Sequence, residues 1–332
     1  MPLSRRLLAY GSVPVVAIVC FAVWYTSISS KPGPEFVRLD GGEFLMGSQN
    51  FQAEETPVHP VNVGPFDITR TEITNDQFAK FVEETGYQTT AERGLSAEDF
   101  PGLPSDLLEP GSMVFAQPKE AVSLNNPNAW WRYVKGASWQ HPAGPGSSIA
   151  ELGDHPVVHV SPEDAAEFAE WIGGRLPTEA EWEFAARGGI EGADYTWGDS
   201  YDPSNGWKAN TWQGQFPSEN LADDGHVGTA PVASYVANGY GLYDMAGNVW
   251  EHVADWWVPG HIPGDQIDPT GPEKAFAAQF GSASMGAMRL VKGGSWLCAP
   301  NFCLRYRPAA RQPVEMSLGS NHVGFRVVRD VD

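Results

Sequence analysis

Cysteine is scarce, with three in 332 residues. Cys20 lies in an apolar stretch near the start, so only Cys298 and Cys303 serve the rest of the chain. That count excludes a disulfide framework and leaves aromatic burial, hydrogen-bonded loops and bound ions as sources of stability. Basic charge is also sparse: 21 Lys and Arg stand against 41 Asp and Glu, a formal charge of −20. Such a chain repels phosphate backbones, which excludes nucleic acid and favours a neutral or basic partner. There is no His-Glu-x-x-His, Gly-x-Ser-x-Gly, phosphate loop or dinucleotide fingerprint. No low-complexity linker, charge block or internal repeat divides residues 34–332, which read as one domain.

What is abundant is glycine (36), proline (27) and tryptophan (13). This mixture predicts many turns pinned by large rings and little regular structure. Thr74 caps a predicted helix from Asn75 to Thr85, with Phe78, Phe81 and Val82 inward and Gly86 ending it. Ser161-Pro162-Glu163-Asp164 opens a second, with Ala165, Phe168, Ala169 and Ile172 apolar until Gly173-Gly174. Thr178 and Glu181 form a capping box for a third, which runs to Arg187 and Gly188-Gly189. Strands are expected at Phe36–Leu39, Val157–Val160 and Phe325–Val328. The class is α+β with a large irregular fraction.

No charged residue occurs between Arg6 and Lys31, and Leu7 to Ile28 is long enough to cross a hydrocarbon layer of ~30 Å. Residues 1–30 therefore read as a cytoplasmic tail and signal anchor, and residues 34–332 as the exported domain. Arg5 and Arg6 keep the tail in the cytoplasm. Trp24 and Tyr25 resemble interfacial anchors, and the sequence offers only a poor cleavage site for the alternative, a removed signal peptide.

Cys298 and Cys303 stand five apart in Gly293-Gly294-Ser295-Trp296-Leu297-Cys298-Ala299-Pro300-Asn301-Phe302-Cys303. The bland reading is one structural disulfide, although so small a loop gains little from closure. The functional reading is a redox-active dithiol or a site for a soft metal such as copper(I). Arg305, Arg307 and Arg311 follow closely and are expected to lower the thiol pKa. Spacing alone leaves these readings open. Two oxygen-rich stretches suit calcium or ordinary turn bonding: Asn210-Thr211 with Asp223-Asp224-Gly225-His226, and Asp244-Met245-Ala246-Gly247-Asn248-Val249-Trp250-Glu251. His155 and His159 are expected to pack or cap, not to ligate.

Together these pieces resemble the formylglycine-generating enzyme, or sulfatase-modifying factor, family. The match includes the segments Gly41–Ser48, Gly174–Glu183, Asn238–Glu251 and Gly324–Arg326, together with the cysteine segment. The resemblance implies a variant of the C-type lectin fold and an oxidase that converts the cysteine of a Cys-x-Pro-x-Arg segment in an unfolded sulfatase to Cα-formylglycine. It further implies copper(I) on Cys298 and Cys303, dioxygen entering beside Ser295 and Trp250, and an external thiol reductant. The substrate groove would include the loop from Cys303 to His322. Two structural calcium ions are implied, one on Asn210, Thr211, Asp224 and His226, with Thr211 and His226 giving backbone oxygen. The other would lie on Asp244, Gly247, Val249 and Glu251, with Gly247 and Val249 as carbonyl donors. Secreted animal relatives carry disulfide cysteines where Ala169, Ala186, Pro308 and Val327 stand, and some relatives place a histidine at Ala299. Lacking these cysteines and any Asn-x-Ser/Thr acceptor, the chain is expected to be a single-pass membrane protein with its domain periplasmic or extracellular. The competing readings are a lectin-like binding or assembly module with an inert disulfide, and an iron-dependent oxidase, which the lack of a histidine-carboxylate triad disfavours.

Overall fold

A computed structural model describes residues 33–331 except 99, 101, 282–285 and 315–318. The expected membrane anchor lies outside the described residues, among which no helix is long and apolar enough to cross a membrane. In chain order the strands are β1 (Phe36–Leu39), β2 (Gly42–Met46), β3 (His59–Val63), β4 (Phe66–Thr69), β5 (Gly111–Phe115), β6 (Trp131–Lys135), β7 (Trp250–Trp256), β8 (Gln266–Ile267), β9 (Arg289–Lys292), β10 (Arg311–Val314), β11 (Val323–Phe325) and β12 (Val328–Asp330). They form four small sheets, ordered β1-β4-β12, β2-β3-β8, β5-β6 and β10-β9-β7-β11. Within these sheets, among the described residues, only β3-β8 and β7-β11 pair in parallel.

The three expected helices form where the caps place them. α1 (Asn75–Thr85) has a complete capping box between Thr74 and Gln77 and ends on Gly86 in the left-handed region. After the four-residue α2 (Thr90–Arg93), α3 (Pro162–Trp171) is boxed by Ser161 and Asp164, and α4 (Glu179–Arg187) by Thr178 and Glu181. A short α5 (Lys274–Ala277) follows β8. α1 and α3 bury Phe78, Phe81 and Phe168 with Trp139 and Phe325, and the rings of Phe78 and Phe168 stack 5.8 Å apart. Ala169 and Val327 share that core, so apolar contact occupies the places where relatives were expected to carry cysteines. α4 packs Trp182 and Phe184 against Phe44, Phe66 and Leu290. At roughly 1.5–3 kcal/mol for each large side chain buried, these clusters supply the main folding drive.

Two expected strands are corrected. Val157–Val160 forms no strand, because its amides go to separate segments: Val157 to the carbonyl of Ile73, and His159 to that of Ser320. His159 itself sits at φ 61°, which breaks a ladder. Phe325–Val328 is cut in two, since Phe325 ends β11 and Val328 starts β12. Between them Arg326 turns inward to an ion pair with Glu251.

Candidate active site

The segment carrying the cysteines leaves β9 at Lys292 and is pinned along its length. Gly293 accepts from Gly247 N–H, Trp296 N–H donates to Asn248 O, and Trp212 N–H donates to Cys298 O. Gly294 has φ 75°, and a Cβ there would meet the Arg305–Tyr306 backbone at 2.8 Å, so only glycine lets the two passes of chain approach this closely. Within the loop, Ala299 and Phe302 exchange backbone hydrogen bonds. Cys303 and Leu304 then take φ of 77° and 48°, a conformation sparsely used by residues with side chains. Phe302 stacks on Phe216 at 4.3 Å with the planes 4° apart, and Trp130, Trp212, Trp296 and Leu297 complete the wall.

These constraints bring Cys298 and Cys303 to a Cα separation of 5.1 Å, joined as a disulfide. Cys298 is buried and Cys303 half-buried, so Cys303 is the sulfur nearer solvent. Ser295 is buried one turn upstream, with its carbonyl accepting from Cys298 N–H and its Oγ accepting from Leu297 N–H at 3.3 Å. Trp250 opens β7 and shares a buried cluster with Cys298, Tyr306 and Val291. The four expected site residues are therefore gathered at one place. The donor chemistry fits copper(I): when reduced, two adjacent soft sulfurs beside buried aromatic rings are donors that such an ion prefers.

Each of the three arginines expected to act on the thiols faces a carboxylate. Arg305 pairs with Glu54 at 2.7 Å, Arg307 grips Glu55 through two nitrogens, and Arg311 grips Glu179 at 2.8 Å through two more. Arg307 and Arg311 are buried in these pairs. Their charge is spent on carboxylates, and their role is to anchor the chain that leaves Cys303. The expected groove loop is likewise part strand, since Arg311–Val314 is β10 on the edge of β9.

Both oxygen-rich stretches sit directly behind this loop. Asn210 and Thr211 are buried just before Trp212. Gln213 ties them to Asp224, its Nε2 donating to Thr211 O and its Oε1 accepting weakly from Asp224 N–H. Asp224 Oδ1 accepts from His226 N–H at 3.0 Å. The second stretch adjoins the first: Asn248 N–H donates to Asn210 O, and a Cβ on Gly247, at φ 77°, would meet that same oxygen at 2.3 Å. Asp244 is buried and accepts from Ala233 N–H at 2.7 Å. Val249 is buried. Glu251 is already committed, to Arg326 at 2.6 and 2.7 Å and to the indole of Trp182 at 2.6 Å.

A residue that the sequence gave no reason to select completes this region. Glu72 is fully buried, its Oε2 accepting from Asn248 at 3.2 Å while its Oε1 has no partner. Burial, then the charges of Asp244 and Glu251, push its carboxyl well above the ordinary range, and burial raises Asp244 to about 6. Crowded carboxylates with an orphaned oxygen are what a hard cation would relieve, so the Glu72 and Asp244 side fits calcium better than Glu251 alone. Among the described residues no group of three or more His, Cys, Asp and Glu is arranged to hold a metal; a cation here would draw on amide and carbonyl oxygen. Glu72 lies 172 positions before Asp244, and no local motif links them. His159 instead holds Ser112 Oγ and Pro142 O at 2.8 Å on its two ring nitrogens, a packing role.

The molecule is thus a mixed domain whose disulfide loop, Cys298–Cys303, is strapped over a carboxylate- and amide-rich floor. The sulfatase-modifying factor enzyme 1-like domain family matches residues 25–331, and the chain belongs to that family. It is 47% identical over 297 residues to a formylglycine-generating enzyme of Mycobacterium tuberculosis, covering 89% of this chain and 98% of the relative. A formylglycine-generating enzyme of Streptomyces coelicolor is 44% identical over 318 residues, covering 92% and 94%. Among solved structures, PvdO from Pseudomonas aeruginosa superposes with a TM-score of 0.61 at 25% identity, covering 90% of this chain and 95% of that one.

Proposed function

We propose that this protein oxidises a sulfatase cysteine, in a Cys-x-Pro-x-Arg segment of the unfolded polypeptide, to Cα-formylglycine. The observation that carries the reading is the Cys298–Cys303 pair held beside Ser295 and Trp250 in a chain this similar to formylglycine-generating enzymes. In the overall reaction the substrate carbon loses its sulfur as hydrogen sulfide. One dioxygen and two external thiols are consumed, and the aldehyde, one water and a disulfide are formed with the hydrogen sulfide, so atoms and electrons balance.

The joined sulfurs are the oxidised form, which a thiol reductant opens before turnover. Cys298 and Cys303 would then hold copper(I), which when bound supplies the activation of dioxygen. Cys303, the half-buried partner, is the one an incoming peptide thiol reaches first. The buried hydroxyl of Ser295 and the indole of Trp250 border the reacting atoms, and the surrounding rings exclude water that would quench them. Calcium on the two oxygen-rich stretches would brace the floor, with Glu72 added to the expected ligands. The N-terminal segment would anchor the domain to the outer face of the membrane, and resistance of the protein to carbonate extraction tests that placement.

The test of function is incubation of reduced, copper-loaded protein with dioxygen, a thiol and a Cys-x-Pro-x-Arg peptide. Mass spectrometry should find an aldehyde that hydrazide traps; no aldehyde with verified copper loading would overturn the proposal. The disulfide supports one competing reading, a binding module of the same fold with an inert bridge. Such a module would show no tight bis-thiolate site when titrated with copper(I) after reduction.

A further inference from the structure

The strand that starts beside the cysteines ends at a second cavity. Trp250 opens β7 next to Cys298, and Trp256 closes it, paired with Arg289 at the start of β9. Six steps of strand put Arg289 roughly 20 Å from that opening. A cavity of about 810 Å³ lies here, lined by Arg289, Ala254, Pro65, Pro162 and Leu176, with Ala166 of α3 beside them. That volume is in the usual range for small-molecule sites.

Arg289 sets the chemistry of this space. Its guanidinium lies over the Trp256 ring at 3.8 Å, and its Nη1 donates to Ala254 O, but it makes no ion pair among the described residues. Its Nε is buried without an acceptor. Burial lowers its pKa, opposed only by the charge of Asp255, whose own carboxyl burial raises to about 7. Arg175, the other cation on the cavity, is instead held by Glu181 at 2.7 Å and Asp330 at 2.6 Å. A cation withdrawn from water is normally matched by an anion, and at Arg289 that counter-charge has to come from outside.

We propose that this cavity binds a small monocarboxylate with an apolar body, its carboxylate on Arg289 and its body against Pro65, Pro162 and Leu176. Charge selects among anions. Glu170, Glu181, Asp268 and Asp330 also line the space, four carboxylates against two arginines, so each further negative charge on a ligand is penalised and a phosphate is disfavoured. Two of the four face Arg175, and Asp268 Oδ1 accepts from Gly64 N–H at 2.6 Å, which leaves Arg289 as the group that rewards a single negative charge. The site lies apart from the cysteine loop and does not depend on the oxidase reading.

The probe is 4-(trifluoromethyl)phenylacetate, followed by fluorine NMR with the full-length protein. It should bind with a dissociation constant below about 1 mM, and its neutral amide at least about tenfold more weakly, the range of a charge-assisted hydrogen bond. Arg289→Gln should weaken the acid to the level of the amide. Ala166→Phe changes an exposed helix position and puts a ring on the cavity wall, so it should weaken acid and amide alike. It leaves Arg289 in place and carries the test if Arg289→Gln fails to fold. No binding of the acid, equal affinity for acid and amide, or unchanged affinity in Ala166→Phe would overturn the site. So would phenyl phosphate binding as tightly as the acid, or a folded Arg289→Gln protein that keeps the parent's affinity. Peptide oxidation should continue in Ala166→Phe, because the cysteine loop is untouched.

Discussion

The backbone N–H of Trp212 donates to the carbonyl of Cys298 at 3.1 Å. This bond links the floor to the cysteine loop, because Trp212 directly follows Asn210 and Thr211, two of the expected calcium ligands. Order in the oxygen-rich stretch is thereby passed to the backbone of the first cysteine.

Removal of calcium is expected to lower the melting temperature by more than about 3 °C, since each kcal/mol is worth roughly 2–4 °C in a domain approaching this size. Scanning calorimetry in a strong chelator, with calcium added back, checks this. An unchanged melting curve would remove both calcium proposals.

Replacing either sulfur separates chemistry from scaffolding. Cys298→Ser and Cys303→Ser are each expected to abolish aldehyde formation. The stability loss should stay below the ~3 kcal/mol associated with a 15-residue disulfide loop, since this loop is smaller. Activity assays paired with urea denaturation test it. Retained turnover together with a large loss of stability would assign the pair a structural role.

The buried pair behind the loop should be far more sensitive than any exposed one. Glu55→Gln leaves the Arg307 guanidinium buried without its carboxylate and is expected to cost about 3–5 kcal/mol. Glu35→Gln, which breaks a surface contact with Arg70, should cost less than about 1 kcal/mol. Urea midpoints of the two variants give the comparison.

Asp255 sets a pH dependence of definite sign. Burial, then the neighbouring Glu179 carboxylate, raise its carboxyl to about 7, against about 3.9 in an unfolded chain. Between these values the folded state keeps a proton that the unfolded state has released. The stability contributed by this group is present below pH 4 and falls as pH rises through 7. Asp255→Asn retains an oxygen for the Glu179 N–H, which now donates to Asp255 at 2.8 Å. The variant should therefore lose less stability than the parent between pH 4 and pH 7, by on the order of 1 kcal/mol per pH unit in that window. Parallel slopes for the two proteins would count against the titration.

Local chemistry was readable wherever it acts within a few residues. Thr74, Ser161 and Thr178 start helices because a cap needs only its own first turn, and the Gly293–Cys303 segment carried the resemblance on which the proposed site rests. What only the tertiary structure decided is the partner of each buried charge. Arg305, Arg307 and Arg311 were expected to serve the thiols, yet they pair with Glu54, Glu55 and Glu179. Glu72 joined the floor from a distant stretch of chain. Arg326 split one expected strand by reaching Glu251. A buried charge takes whichever opposite charge the packed chain brings within hydrogen-bond reach, because water is no longer available to solvate it. That choice is made across the fold and leaves no trace in local spacing.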